Sequence, residues 1–322
     1  MQMKKNILIL GAGAVGLVYG KHFSDAGHKV TFFVREKYLE TMAKGSVLYH
    51  MNTDKSLKKP IRFTQYSLVS NFDAIQQQQW DQVYLCFSST ALQSFDFTGF
   101  KQALTGKPTI VMLQPSVEDY QHLSNTFPAE QIVEGMITLI SYSAPLATET
   151  VELPGIAYWL PPFVPSPFSG QINRRQEIIT TFLDGKMAAK SSKSVRTQSL
   201  FPTAFLMAFL TALESSQWNF ITLRNDAALL KQLVHSIDEI FSALEAKHQV
   251  KRPIGLRLTS PLIIKTLLKI APHVMPMDIE TYFEAHFMKV KDQTKLYMGN
   301  YLATAKSSGS NYSTLEVLNQ LT

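Results

Sequence analysis

A chain of 322 residues is long enough for two domains, and with 45% hydrophobic and 17% charged residues it reads as globular rather than disordered. Its net charge of +6 suits an anionic ligand, but the basic residues are scattered, with only short groups such as KSLKK at 55–59, so nucleic-acid binding is not expected. The lone cysteine, Cys86, excludes a disulfide framework within the chain, fits a reduced cytoplasmic setting and reads as a core residue, and no run approaches the roughly 18–20 apolar residues of a membrane span, so no membrane is expected.

The opening MQMKK before an apolar run has the outline of a secretion signal. The run carries Gly11, Gly13 and Gly16, however, and continues into another strand-like segment, which reads as the start of a soluble domain. NILIL (6–10) is a short β-branched and leucine run, as expected of a strand buried on both faces. GAGAVG (11–16) follows, then LVYGKHFSDAG as a helix ended by Gly27, then HKVTFFV (28–34) as a second strand. This strand–turn–helix–strand context turns a bare G-x-G-x-x-G into a dinucleotide-binding signature. Gly11 permits the tight turn, Gly13 lets the backbone approach a pyrophosphate, and Gly16 lets the helix pack close to the strand. Ala12, Ala14 and Val15 complete the turn, and the unpaired N–H groups of the helix N-terminus offer partial positive charge to phosphates.

The end of the second strand selects the cofactor. Arg35 is the first residue after the apolar run and suits the 2′-phosphate of NADPH, with Lys37 close by. Glu36 also stands about 20 residues after the turn, where an acidic residue would favour NAD, so NADPH is the preferred of two readings. QVYLCF (82–87) and PTIVML (108–113) read as further strands leading into polar loops. Ser88, Ser89 and Gln114 in those loops are candidates for cofactor or substrate contact, and equally for capping and turn formation. IVEGMITLISYS (132–143) and ATETVELPGIAYWL (147–160) read as added strands, antiparallel ones among them, whereas LPPFVPSPFSG (160–170), with four prolines, reads as an irregular loop.

After about residue 186 the texture changes to helix. Segments 196–218, 226–249, 260–274 and 278–309 have helical length or periodicity, with Pro202 near the start of the first. The expected fold class is α/β: a Rossmann-type dinucleotide-binding domain over 1–186 and a mostly α-helical substrate or dimerisation domain over 187–322. The apolar content of the helical half suits a homodimer, and a monomer nearly as well.

ILGAGAVGLVYG, FFVR, the chain length and the switch to helices resemble the ketopantoate reductase (2-dehydropantoate 2-reductase) family. That resemblance implies a cytoplasmic oxidoreductase that uses NADPH to reduce a small 2-oxo acid, ketopantoate, to pantoate in pantothenate biosynthesis. It also implies functional residues that this chain replaces. Ser88 stands where the family has a lysine, Gln114 and Pro115 where it has asparagine–glycine, Leu200 or Pro202 where it has a catalytic lysine, and Thr294 where it has a glutamate.

On the late helix, Tyr282, His286, Lys289, Gln293, Tyr297 and Asn300 recur at three- and four-residue steps and read as one polar stripe. If that helix borders the substrate, as the resemblance implies, His286 or Lys289 is the candidate proton donor and Tyr282 and Gln293 are candidate substrate contacts. The same spacing also describes an ordinary solvated helix face. Three readings follow: a reductase of a small 2-oxo acid or related carbonyl, ketopantoate or another; a catalytically impaired NADPH-binding sensor or regulatory protein; or oxidation of a larger alcohol or amino-acid derivative.

Overall fold

The computed structural model describes residues 4–114 and 116–321; Pro115 and the first three residues of the MQMKK opening lie outside them. The chain divides into two compact units, one running to Pro145 and over Glu149–Arg196, the other taking Leu146–Thr148 and the chain from Thr197 onward.

Among the described residues, the first unit holds twelve strands: β1 (Asn6–Leu10), β2 (Lys29–Phe33), β3 (Ser46–His50), β4 (Ile61–Phe63), β5 (Ser67–Val69), β6 (Gln82–Leu85), β7 (Thr109–Met112), β8 (Ile132–Gly135), β9 (Ile140–Ala144), β10 (Gly155–Trp159), β11 (Ser166–Gly170) and β12 (Ala189–Ser191). Eight form one sheet in the order β12-β11-β8-β7-β6-β1-β2-β5. From β5 to β8 every neighbouring pair is parallel, and β11 joins β8 antiparallel. The order reverses about β1, so the crevice at the carboxyl ends of β1 and β6 is the topological switch point where such sheets take ligands. The α/β class expected from the sequence, with a Rossmann-type parallel sheet followed by helices, is what the fold shows.

Alternation along the central strands explains their continuous apolar sequences. Ile7, Ile9, Tyr84 and Val111 point into a core with Val18 and Phe23 of the helix Ala14–Asp25 and Phe182 of the helix Ile172–Asp184. Leu8, Leu10, Val83, Leu85 and Ile110 point to the other face, against Ile75, Leu92, Phe100 and Leu123 from four short helices. Both faces are dry, so every side chain from Ile7 to Leu10 is fully buried. One polar link crosses the first core: Gln82, itself buried, donates to Thr181 Oγ1 at 3.0 Å and accepts from Tyr84 Oη at 2.9 Å. Each polar atom therefore has a partner, as burial requires.

The other four strands form a separate sheet, β4-β3-β10-β9, with β9 and β10 antiparallel as the sequence suggested. The segment 160–170 departs from the expected irregular loop, because its second half is β11. Pro167 is tolerated there since proline removes only a donor: its carbonyl still accepts from Met136 N–H at 3.2 Å, and Phe168 pairs with Gly135. The same sheet sets the end of the unit past the 186/187 boundary read from the sequence, because β12 pairs with β11.

The second unit is helical: Val195–Ser215 enters it, followed by Phe220–Asn225, Ala227–His248, Pro261–Val274, Ile279–Phe287, Lys291–Ser308 and Ser313–Asn319. Leu230, Leu233, Ile237, Ile240, Phe241 and Leu244 recur at helical spacing and are buried. Glu239 on the same helix is also buried. Its carboxylate accepts from the Leu315 N–H at 2.7 Å and the Thr314 N–H at 3.3 Å, satisfying a helix start that has no side-chain cap of its own. The stretch 278–309 is not one helix. A 3-10 turn at Met288–Val290 interrupts it, and Val290 leaves helical geometry (φ −119°, ψ 25°).

Candidate functional site

β1 ends at Leu10 and the backbone turns at Gly11, whose φ of +99° is a conformation that side chains with a Cβ rarely adopt. A Cβ there would also lie 2.7 Å from the Cys86 carbonyl oxygen. Gly16 is the second close approach, since its Cβ would fall 2.2 Å from the Gly11 carbonyl oxygen. The glycine pair thus lets the helix Ala14–Asp25 start against the strand that feeds it. Gly13 differs: a Cβ at this position would meet nothing within 4 Å. It faces open space, and its lack of a side chain clears an approach to the backbone.

Gly13 is the residue before the helix and offers no side-chain cap, and the first intrahelical bond runs from Leu17 N–H to its carbonyl. The N–H groups of Ala14, Val15 and Gly16 therefore precede the helical ladder, and the first turn carries no acidic side chain. Three donors and the positive end of the helix dipole converge there, the arrangement that binds a phosphate.

The turn opens onto a cleft of about 610 Å³ lined by Gly11, Ala12, Gly13, Arg35 and Cys86, among others. Arg35 is exposed at the end of β2 and, among the described residues, forms no ion pair. Glu36 and Lys37 are exposed outside the cleft lining, with the Lys37 ammonium over the Tyr38 ring, 5.0 Å from its centroid. Of the two residues that the sequence offered, Arg35 lines the cleft and Glu36 does not. Burial pushes the Cys86 thiol up, which disfavours the thiolate, and the side chain forms part of the floor, packed 3.3 Å from the position of a Gly16 Cβ.

Two sets of lining residues escaped the sequence reading. Tyr38, Thr41 and Met42 follow β2; Ala91, Ser94 and Phe95 follow β6. Both sets are spaced i, i+3, i+4, so each is one face of a helical turn directed at the same cleft. That spacing just beyond the carboxyl end of a buried strand is the signal that finds them. Phe87 and Phe95, with ring centroids 5.5 Å apart, form an apolar wall with Phe33, which lies 6.2 Å from Phe95. A flat aromatic base fits against such a wall.

Ser88 and Gln114 are engaged elsewhere. The Ser88 hydroxyl accepts from the Ala91 N–H at 3.3 Å and caps the helix Ser89–Ser94. Gln114 is buried, its amide donating to the carbonyls of Phe87 at 2.6 Å and Leu85 at 3.1 Å. It braces the loop after β6 and is absent from the cleft lining. Ser89, also buried, lies outside that lining too.

Residues 7–151 match the family described as ketopantoate reductase PanE/ApbA. The resemblance read from the glycine turn and FFVR is thereby shown. The solved ketopantoate reductases share its fold over the whole length. A PanE/ApbA family ketopantoate reductase from Ralstonia eutropha JMP134 superposes with a TM-score of 0.73 at 18% identity, covering 98% of this chain and 96% of that one. The 2-dehydropantoate 2-reductase from Geobacter metallireducens GS-15 gives 0.70 at 16%, covering 98% of each. A ternary structure of D-mandelate dehydrogenase with NADH and anilino(oxo)acetate gives 0.71 at 15%, covering 98% and 96%. No curated protein sequence matches the chain. The ketopantoate reductase fold is therefore the common ground, and its solved neighbours are reductases and dehydrogenases.

In the second unit, the stripe expected along 282–300 is broken by the Met288–Val290 turn. Tyr282 and Tyr297 are core residues, 7% and 3% exposed. Tyr282 and His286 do come together, with rings stacked at 5.3 Å and 27°. Burial, with the charge of Lys289 nearby, pushes the His286 imidazole down to about 4. His286 is therefore neutral near pH 7 and holds no extra proton to give. Lys289 is exposed on the 3-10 turn, and Gln293 lies beyond that turn in the helix Lys291–Ser308. Thr294, at the position where the resemblance implies a glutamate, is buried.

Proposed function

We infer that the protein is an NADPH-dependent reductase of a small 2-oxo acid in the manner of 2-dehydropantoate 2-reductase. The observation that carries this reading is Arg35, an exposed guanidinium that forms no ion pair among the described residues, lining the same cleft as Gly11, Ala12 and Gly13 of the turn. The residues present fit the dinucleotide. The Ala14–Gly16 N–H groups face the pyrophosphate that Gly13 admits, the Phe87–Phe95 wall takes the base, and Arg35 pairs with the 2′-phosphate. NADPH, when bound, supplies the hydride; the protein supplies orientation and a proton. Of the two candidate donors in the second unit, Lys289 is preferred, because His286 is already deprotonated at neutral pH. Tyr282 and Gln293 remain the proposed substrate contacts, and cytoplasmic ketopantoate reduction in pantothenate biosynthesis is the proposed role.

The buried Thr294 favours a second reading, an NADPH-binding sensor with impaired catalysis. Incubation with NADPH and ketopantoate, then with a panel of 2-oxo acids, separates the two by the absorbance of the reduced nicotinamide. Turnover that falls by about tenfold or more in Lys289→Gln supports the reductase with its assigned donor. Tight NADPH binding with no turnover on any 2-oxo acid supports the sensor.

A further inference from the structure

From residue 246 to residue 277 the chain contains no aspartate or glutamate, while Lys247, Lys251, Arg252, Arg257, Lys265 and Lys269 all fall within it. The bounding acids are Glu245 and Asp278, and Glu245 is held by Arg252 at 2.9 Å. The helix Pro261–Val274 lies inside this basic stretch. It packs into its unit through Ile264 and Leu268, which are buried. Its outer side is also apolar: Ile263, Leu267, Ile270 and Val274 are 40–62% exposed, at steps of four, three and four residues. These side chains make one stripe about 16 Å long, at 1.5 Å per residue. Leu262 and, on the preceding turn, Ile254 and Leu258 are 64–77% exposed.

Round the same helix from the stripe, Lys265, Lys269 and His273 line an open groove of about 560 Å³ with Ile270 of the stripe and Arg224 of the helix Phe220–Asn225, which also exposes Ile221. Two elements thus contribute the same pairing of exposed aliphatic and basic side chains. An apolar face of this size on a soluble protein marks a surface that is covered in use.

We propose that this face is a docking surface for an anionic phospholipid membrane, with the helix Pro261–Val274 lying in the plane of the headgroups. Aliphatic side chains along one helix face enter the acyl boundary while flanking lysines meet the lipid phosphates. The charge argues for this occupant over a second copy of the chain. Docked on itself, the face would gather two copies of Lys265 and Lys269 into one interface, with no acid in the stretch to pair them. No helix among the described residues is long and apolar enough to cross a membrane, so the association is peripheral.

Flotation of the full chain with vesicles tests the proposal. Vesicles of phosphatidylcholine with about a third phosphatidylglycerol should carry the protein, and pure phosphatidylcholine vesicles should not. Leu267→Glu and, separately, Lys265→Gln with Lys269→Gln should each lower binding by about tenfold or more, while the melting temperature and NADPH affinity stay as in the wild type. Absence of flotation with anionic vesicles overturns the proposal. So does flotation unchanged in both variants, binding to polyglutamate but not to vesicles, or a dimer in sedimentation equilibrium that Leu267→Glu dissociates in the absence of vesicle binding.

Discussion

Gly13 and Gly16 share one turn, yet alanine at the two positions should have separable effects. At Gly13 the new methyl meets open space and the backbone is extended (φ −73°, ψ −175°), so Gly13→Ala should change unfolding free energy by less than about 1 kcal/mol. The methyl would stand where the pyrophosphate approaches, and NADPH affinity should drop by about tenfold or more. At Gly16 the methyl would collide with the Gly11 carbonyl, so Gly16→Ala should destabilise the fold by about 1–3 kcal/mol. Urea denaturation and NADPH titration of the two variants check both statements; equal stability with equal binding would refute them. His286 gives a pH test with a definite sign. Its folded value near 4 lies below the roughly 6.5 of an unfolded histidine. Its contribution is therefore full above pH 6.5 and is lost as pH falls toward 4, because the unfolded chain takes up the proton first. His286→Gln should flatten the decline of stability over that window, and the wild-type ring should titrate by NMR near 4. A midpoint near 6.5 would contradict the buried, neutral imidazole.

Among the elements, those buried on two faces were the ones the sequence displayed. NILIL, QVYLCF and PTIVML read as strands because alternate residues fill two different cores, leaving no polar positions to blur the run. Phe182 marks how firmly the first of these cores depends on packing. It is fully buried among Tyr19, Phe23 and Phe168, and Phe182→Ala should cost about 3–5 kcal/mol in urea denaturation. A loss below about 1 kcal/mol would mean that the helix Ile172–Asp184 is not tied to the sheet as described. β4 and β5 were invisible because three residues carry no period, and β11 was hidden by Pro167, whose missing donor an antiparallel partner tolerates. The polar stripe over 282–300 misled in a different way: sequence spacing cannot register a backbone break at Val290 that no glycine or proline announces. The cofactor turn was legible because Gly11 and Gly16 answer to backbone constraints, and Gly13 leaves the approach to the helix start open. The adenosine side was only half legible, since Tyr38, Thr41 and Phe95 serve the cleft as ordinary helix-face residues.

For the whole molecule, the parallel sheet places its switch point at the carboxyl ends of β1 and β6, and the cleft found there is built from segments far apart in sequence. A ligand that grips all of them binds only the folded chain and therefore stabilises it. NADPH at about 100 times its Kd should add about 2.7 kcal/mol, visible as a rise in melting temperature. The measurement that bears most directly on this account is a parallel titration of wild type and Arg35→Ala with NADPH and NADH. The account predicts that wild type prefers NADPH by about tenfold or more and that Arg35→Ala loses this preference chiefly by weakening NADPH, since the proposed role of the guanidinium is to pair with the 2′-phosphate that NADH lacks. Equal affinity of wild type for the two cofactors, or an NADPH affinity untouched by Arg35→Ala, would contradict it.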